Sequence, residues 1–230
     1  MKTIGLLGGM SWESTELYYR LINEGTREAL GGLHSAKISM VSVDFQEIEE
    51  LQRAGDWDTM SAILANKAIQ IEAAGADFLL ICTNTMHKVA NEVSAAISIP
   101  LLHVADATAL SIKKSGATTV GLLGTKFTTE EDFYKGRLEH HGLTALVPSD
   151  ADRDIVHRVI YNELCLGELN SKSRDEFLRI IDDLTLRGAE AVIEGCTEIG
   201  LLVKQEHTNV PLFDTTRIHA QQAVFEALKQ

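Results

Sequence analysis

No run of residues in this 230-residue chain approaches 18 consecutive apolar positions, so no membrane-spanning helix is expected. Cysteine is scarce: Cys82, Cys165 and Cys196 form no Cys-x-x-Cys pair, so neither a disulfide framework nor a zinc-thiolate site is suggested. Basic runs are missing, aromatic and basic residues do not interleave, and the net charge is −12, which argues against nucleic acid as a partner. An acidic small molecule is not excluded, because the local field rather than net charge governs its binding. The segment Met1-Lys2-Thr3-Ile4-Gly5-Leu6-Leu7 runs straight into a strand-like stretch without signal-peptide architecture. A cytoplasmic location with reduced thiols is the expectation. Only 3 prolines occur, and 45% hydrophobic with 23% charged residues is ordinary for a globular protein. This length buries ample core as one large α/β domain or as two small lobes.

The most informative stretch is Leu79 to Lys88. The apolar run Phe78-Leu79-Leu80-Ile81 reads as a fully buried strand that stops at small polar side chains. Met86, Val89, Ala90 and Val93 then fall at helical spacing. The cluster Thr83-Asn84-Thr85 thus lies at the carboxyl end of a strand, where ligands collect in open α/β sheets. Backbone N–H groups and a helix dipole there would suit an anion. The same residues also suit a plain helix cap, and the window alone leaves both roles open.

Other segments extend the pattern. Ile4 to Leu7 is a short strand ending in Gly8-Gly9-Met10-Ser11, and Ser11 or Ser14 caps a helix bearing Leu17, Tyr18, Leu21 and Ile22. The glycines resemble a phosphate-cradling loop only loosely, lacking GxGxxG spacing and a following Gly-Lys-Ser/Thr, so a nucleotide loop is not the expectation. Lys37 to Phe45 alternates as a second strand and precedes a polar helix carrying Gln52 and Arg53. A helix from about Thr59 to Ala74 ends at Gly75, and Ile99-Pro100-Leu101-Leu102 reads as another short strand.

The chain then repeats itself. Thr119-Val120-Gly121-Leu122-Leu123-Gly124 restates Thr3-Ile4-Gly5-Leu6-Leu7-Gly8. Ala191 to Glu198 follows Gly188 as the Phe78 strand follows Gly75, and Val210-Pro211-Leu212-Phe213 restates Ile99-Pro100-Leu101-Leu102. Correspondences in one order at nearly one spacing predict two similar βα lobes, each a small doubly wound sheet. The expected domains are 1–100 plus 208–230, and 101–207, with the last helix (Arg217 to Lys229) returning to the first lobe. The Thr83 and Cys196 loops would then flank one ligand in a cleft between the lobes.

The motifs Gly-Leu-Leu-Gly-Gly-Met-Ser at 5–11, Thr-Asn-Thr-Met-His at 83–87, Gly-Leu-Leu-Gly-Thr at 121–125 and Gly-Cys-Thr-Glu at 195–198 resemble the aspartate/glutamate racemase family, its L-aspartate/glutamate-specific members above all. The likeness spans nearly the whole chain. It implies an α/β fold of two pseudo-symmetric Rossmann-like lobes, a homodimer, and inversion at Cα of an acidic amino acid with no cofactor. One residue takes the α-proton from one face and its opposite number returns a proton to the other.

The chemistry of the residues is compatible with that implication. A thiol near pKa 8.5 can be shifted toward thiolate by helix N-termini or cations and so serve as a base. The carbanion needs fixed donors around its carboxylate, for which Asn84, Thr85 and Thr197 are candidates. The chain departs from the usual family pattern in placing Thr83 where Cys is the rule, with Cys82 one residue upstream. Alternation along a strand points Cys82 away from Thr83, so the acid/base pair expected is Thr83 and Cys196, with Cys82 a buried bystander. Met10, Ser11 and Thr125 (with Lys126) are candidate substrate contacts that turn geometry explains as well. Gln52 is the candidate for the distal carboxylate, with Arg53 its rival. His87 and Glu198 are expected to make structural hydrogen bonds, and Cys165 to lie in core. Alternatives are a decarboxylase or cis–trans isomerase of the same superfamily, or a non-catalytic binder of acidic ligands.

Overall fold

The computed structural model describes residues Met1–Lys229. The chain forms two compact units, one made of Met1–Val104 with His219–Gln230 and the other of Ala105–Ile218. The first runs β1 (Ile4–Gly8), α1 (Trp12–Leu30), β2 (Ile38–Ser42), α2 (Phe45–Ala54), α3 (Trp57–Ala73), β3 (Phe78–Ile81), a 3₁₀ turn (Thr85–Val89) and α4 (Ala90–Ala95), after which α5 (Val104–Ser115) leads onward. The second runs β4 (Thr119–Leu123), α6 (Lys126–Glu130), α7 (Asp132–His140), β5 (Thr144–Leu146), α8 (Asp150–Asn162), α9 (Ser171–Leu186), β6 (Ala191–Glu194), α10 (Ile199–Leu202) and β7 (Leu212–Asp214). Helix α11 (Thr215–Leu228) then returns the chain to the first unit.

Each unit holds a parallel sheet, ordered β2-β1-β3 in the first and β5-β4-β6-β7 in the second. Parallel neighbours require crossover connections, and the helices supply them. The two ladders match rung for rung: β1 and β3 pair from Ile4↔Phe78 to Leu7↔Ile81, β4 and β6 from Val120↔Ala191 to Leu123↔Glu194. The internal repeat read from the sequence is therefore a repeat of strand register.

Period-two alternation sorts the first unit's core. Leu7, Leu79 and Ile81 pack with Ile48, Met60, Leu64 and Ile71 on one face. Ile4, Leu6, Phe78, Leu80 and Cys82 pack with Tyr18, Ile22, Ala220, Ala223 and Val224 on the other. Cys82 thus continues the alternation into an apolar layer, and burial pushes its thiol pKa far up. In the second unit Leu123 and Val192 pack with Val156, Phe177, Ile180, Leu184 and Ile199.

The glycine that opens each Gly-Leu-Leu motif allows a helix to approach the sheet. A Cβ at Gly5 would lie 2.6 Å from Ile71 Cγ2 in α3 and 2.9 Å from the Phe78 carbonyl. At Gly121 it would lie 2.9 Å from Leu184 Cδ1 in α9. The same close approach is used in both repeats.

Four expectations need adjustment. The chain returns to the first unit at His219, not at 208, because β7 pairs with β6 through Val192↔Leu212 to Glu194↔Asp214. The departure also comes later than residue 100, since Leu101 bridges Leu79. That bridge is isolated, so Ile99–Leu102 is not a full strand. The positions after β3 that show helical spacing divide between a 3₁₀ turn of five residues and α4, which leaves little of the macrodipole expected there.

Gly5→Ala has no room against the Phe78 carbonyl, and overpacking of this kind costs about 1–3 kcal/mol. Urea unfolding should show a lower midpoint with an unchanged slope. An unchanged midpoint would mean that α3 does not depend on this approach.

Candidate active site

In the first unit the polar residues follow β1 and β3. Ser11 caps α1, its Oγ accepting from Ser14 N–H at 3.3 Å, and Thr15 Oγ1 accepts from Gly9 N–H at 2.8 Å while donating to the Ser11 carbonyl at 2.9 Å. Met10 is buried in the core cluster beside Leu7 and Ile48, so its side chain serves packing. Gln52 is buried in α2, whereas Arg53 is exposed and pairs with Glu49 at 3.5 Å. Of these rivals, Gln52 is the one withdrawn from solvent.

The loop after β3 is held carbonyl by carbonyl. Ser14 Oγ donates to the Cys82 carbonyl at 2.7 Å, His87 Nδ1 lies 2.8 Å from the Thr83 carbonyl, and His87 N–H donates to the Asn84 carbonyl at 3.1 Å. Asn84 and Thr85 are buried, and the Asn84 side chain makes no capping bond to the turn that follows it. A plain capping role therefore does not account for Asn84. Residues 78–82 are all buried, and Thr83 is the first position after the strand to regain partial exposure.

In the second unit Thr125 caps α6, accepting from Thr128 N–H at 3.4 Å, and Thr129 Oγ1 donates to the Thr125 carbonyl at 3.1 Å. This repeats the Ser11 arrangement, so Thr125 corresponds by geometry to Ser11 and not to Gly9, as the sequence alignment had it. Lys126 is ion-paired with Asp154, which raises its pKa and commits its charge locally. Residues 191–195 are all buried, and Cys196 is the first to regain partial exposure. The ladder fixes the equivalence of the loops: Cys82 N–H donates to the Leu7 carbonyl at 2.9 Å, and Gly195 N–H to the Leu123 carbonyl at 2.7 Å. Cys82 matches Gly195, and so Thr83 matches Cys196.

The electrostatics around Cys196 run against the expectation of a lowered thiol pKa. Removal from bulk water, the Glu198 carboxylate and Cys165 all push it well above the ordinary value, against a smaller lowering by a backbone hydrogen bond from Glu198. The Cys196 thiol donates to Glu198 Oε2 at 2.9 Å. Glu198 is thus the residue that the sequence reading undervalued, although the Cys-x-Glu spacing was visible. Cys165 packs at the edge of the second core cluster, as expected, and is close enough to Cys196 to affect it. Thr197 is buried beside them. Among the described residues no group of three or more His, Cys, Asp and Glu is arranged to hold a metal ion, and no helix is long and apolar enough to cross a membrane.

Residues 7–223 match the family described as Asp/Glu/Hydantoin racemase. The chain belongs to that family. It is 22% identical over 223 residues to the broad specificity amino-acid racemase RacX of Bacillus subtilis (strain 168), covering 96% of each chain. A Yersinia pestis crystal structure described as a candidate Asp/Glu racemase is 54% identical, with a TM-score of 0.93 over 100% of both chains. An aspartate racemase homologue from Pyrococcus horikoshii OT3 is 35% identical, with a TM-score of 0.87 over 100% of both. Membership supports a racemase function and fits the paired parallel sheets.

Beneath the Cys196 loop lies an acidic pair. Glu194, 3% exposed, ends β6 where Ile81 ends β3, and its Oε1 has no hydrogen-bond partner among the described residues. A Cβ at Gly200 would sit 3.2 Å from Asp214 Oδ2 and 3.6 Å from Glu194 Oε2. Asp214 Oδ1 accepts from the Thr216 and Arg217 N–H groups at 2.9 and 3.1 Å. Burial, with Asp214 adding repulsion, raises the Glu194 pKa from 4.5 to about 8, and burial raises that of Asp214 too. Because the folded chain holds the Glu194 proton more tightly than the unfolded one, this contribution to stability is complete below pH 4.5 and is lost as pH rises to about 8. Glu194→Gln should become more stable relative to wild type across that window, measured as the difference in Tm. A difference that does not vary with pH would mean that Glu194 titrates normally.

Proposed function

We propose that this protein racemises the acidic amino acids aspartate and glutamate by two-base proton transfer at Cα, without pyridoxal phosphate, using Thr83 and Cys196 as the acid/base pair. The observation that carries the reading is their equivalence. Two copies of one strand-loop unit each present, at the first accessible position after a buried strand, a side chain that can carry a proton. Inversion at one carbon needs such groups on opposite faces, and a duplicated unit offers a matched pair.

Cys196 rests as a thiol, so it must lose its proton before acting as base. Glu198, already its acceptor, takes that proton. The thiolate then removes the α-proton of the L-substrate and becomes a thiol again. The electron pair left on Cα is delocalised into the substrate carboxylate, for which Asn84, Thr85 and Thr197 are the proposed donors; Met10, Ser11 and Thr125 are the further substrate contacts proposed. Thr83 O–H protonates the opposite face, and solvent returns a proton to Thr83 and removes the one on Glu198. Electrostatic stabilisation of this kind is worth about 2.7–4 kcal/mol per donor. Gln52 is proposed for the distal carboxylate. A homodimer is also proposed, supported by the family resemblance.

The pair is unequal. A threonine hydroxyl gives up a proton to a carbanion readily but is a poor base, so removal of hydrogen from the D-substrate should be slower than from the L-substrate. In D₂O, Cys196→Ala should lose deuterium wash-in into L-aspartate by more than a hundredfold, which is about 2.7 kcal/mol. Thr83→Cys should gain turnover of the D-enantiomer. Wild-type wash-in by Cys196→Ala would overturn the assignment of the base, and no gain in Thr83→Cys would overturn the asymmetry.

A further inference from the structure

The mechanism above leaves three buried imidazoles in the first unit unused. His87, His103 and His219 cluster there, with ring centroids 4.4 Å apart for His87 and His103 and 5.9 Å for His87 and His219. Their hydrogen bonds settle two tautomers. The Val104 N–H donates to His87 Nε2 at 3.3 Å, so that nitrogen carries no proton. His87 is then the Nδ1–H tautomer, donating to the Thr83 carbonyl at 2.8 Å. His219 takes the other form, its Nε2–H donating to the Leu102 carbonyl at 2.8 Å while Tyr18 O–H donates to Nδ1 at 2.9 Å. Burial lowers the His219 pKa to about 4, which keeps that ring neutral.

We propose that His87 is a positioning residue for Thr83: its Nδ1–H···O=C bond, anchored from behind by Val104, sets the orientation of the loop that delivers the proton to the second face of the substrate. The inference rests on the proposed function above. Both ring nitrogens are committed to backbone groups, so His87 does not itself move a proton. Thr83 lies between the end of the β3 ladder and the 3₁₀ turn, where no strand neighbour holds its carbonyl. The imidazole is the donor that replaces the ladder there. His103, packed against the His87 ring, and Val104, the first residue of α5, hold the brace in turn.

Two substitutions separate the two bonds. In His87→Asn the amide nitrogen falls near the place of Nδ1 and keeps a donor for the Thr83 carbonyl. In His87→Gln the amide reaches the place of Nε2, which keeps an acceptor for Val104 but removes the donor to Thr83. L-Aspartate in D₂O supplies an internal control. Deuterium appearing in recovered L-aspartate reports abstraction and return on the Cys196 face, whereas D-aspartate reports delivery from the Thr83 face. Misplacing a reacting group by about 1 Å costs up to roughly a hundredfold. His87→Gln should therefore lower the ratio of inversion to retained exchange by about tenfold to a hundredfold, and His87→Asn should restore it to within about threefold of wild type. Equal losses of inversion and exchange in His87→Gln, or an unchanged ratio, would overturn the positioning role. If wild-type protein exchanges no α-proton, the racemase reading fails instead. The brace is then judged by the ¹⁵N shifts of His87, where an Nδ1–H tautomer supports it and an Nε2–H tautomer overturns it.

Discussion

A buried parallel strand must pass its last carbonyls to new donors when its neighbour's ladder runs out, because an unpaired buried carbonyl costs about 1–3 kcal/mol. In the first unit this happens at Cys82, Thr83 and Asn84, whose carbonyls are taken by Ser14, the His87 ring and the His87 N–H. In the second unit the Glu194 carbonyl is taken by Thr215 Oγ1 at 2.8 Å and the Cys196 carbonyl by the Ile199 N–H at 3.1 Å. These substitutions of donor fix two short loops without regular structure. A rigid loop at a strand end is the condition for placing a reacting side chain well.

The two loops are alike in backbone and unlike in charge. In the first unit His219, whose ring lies 5.9 Å from that of His87, is kept uncharged by burial. Around Cys196 burial and the Glu198 carboxylate raise the thiol pKa, and burial raises those of Glu194 and Asp214. In the mechanism proposed, the Cys196 thiol must therefore pass its proton to Glu198, its hydrogen-bond acceptor, before it acts, whereas Thr83 supplies a neutral hydroxyl.

Strand positions were legible because fully buried strands are short apolar runs with sharp polar ends: Phe78–Ile81 and Ala191–Glu194 could be read directly. The repeat was legible because Gly5 and Gly121 serve the same close helix approach, a need that conserves a residue type within one chain. The return point of the chain was not, since Leu212–Asp214 joins the second sheet by pairing, and pairing leaves little trace in three residues. The side of Cys82 followed from alternation, but the environment of Cys196 did not. Its raised pKa comes first from burial, which folding alone decides, and then from Glu198 and Cys165, one neighbour by sequence and one by folding. A structural role for His87 was expected, but not its anchoring, as Val104 and His219 reach it only in the folded chain.

The central claim is that wild-type protein, with no added cofactor, breaks the Cα–H bond of an acidic amino acid. ¹H NMR of L-aspartate and L-glutamate in D₂O tests it most directly. The account predicts loss of the Cα–H signal of at least one of them, with the D-enantiomer accumulating. A Cα–H signal that persists for both in the presence of folded protein would contradict it.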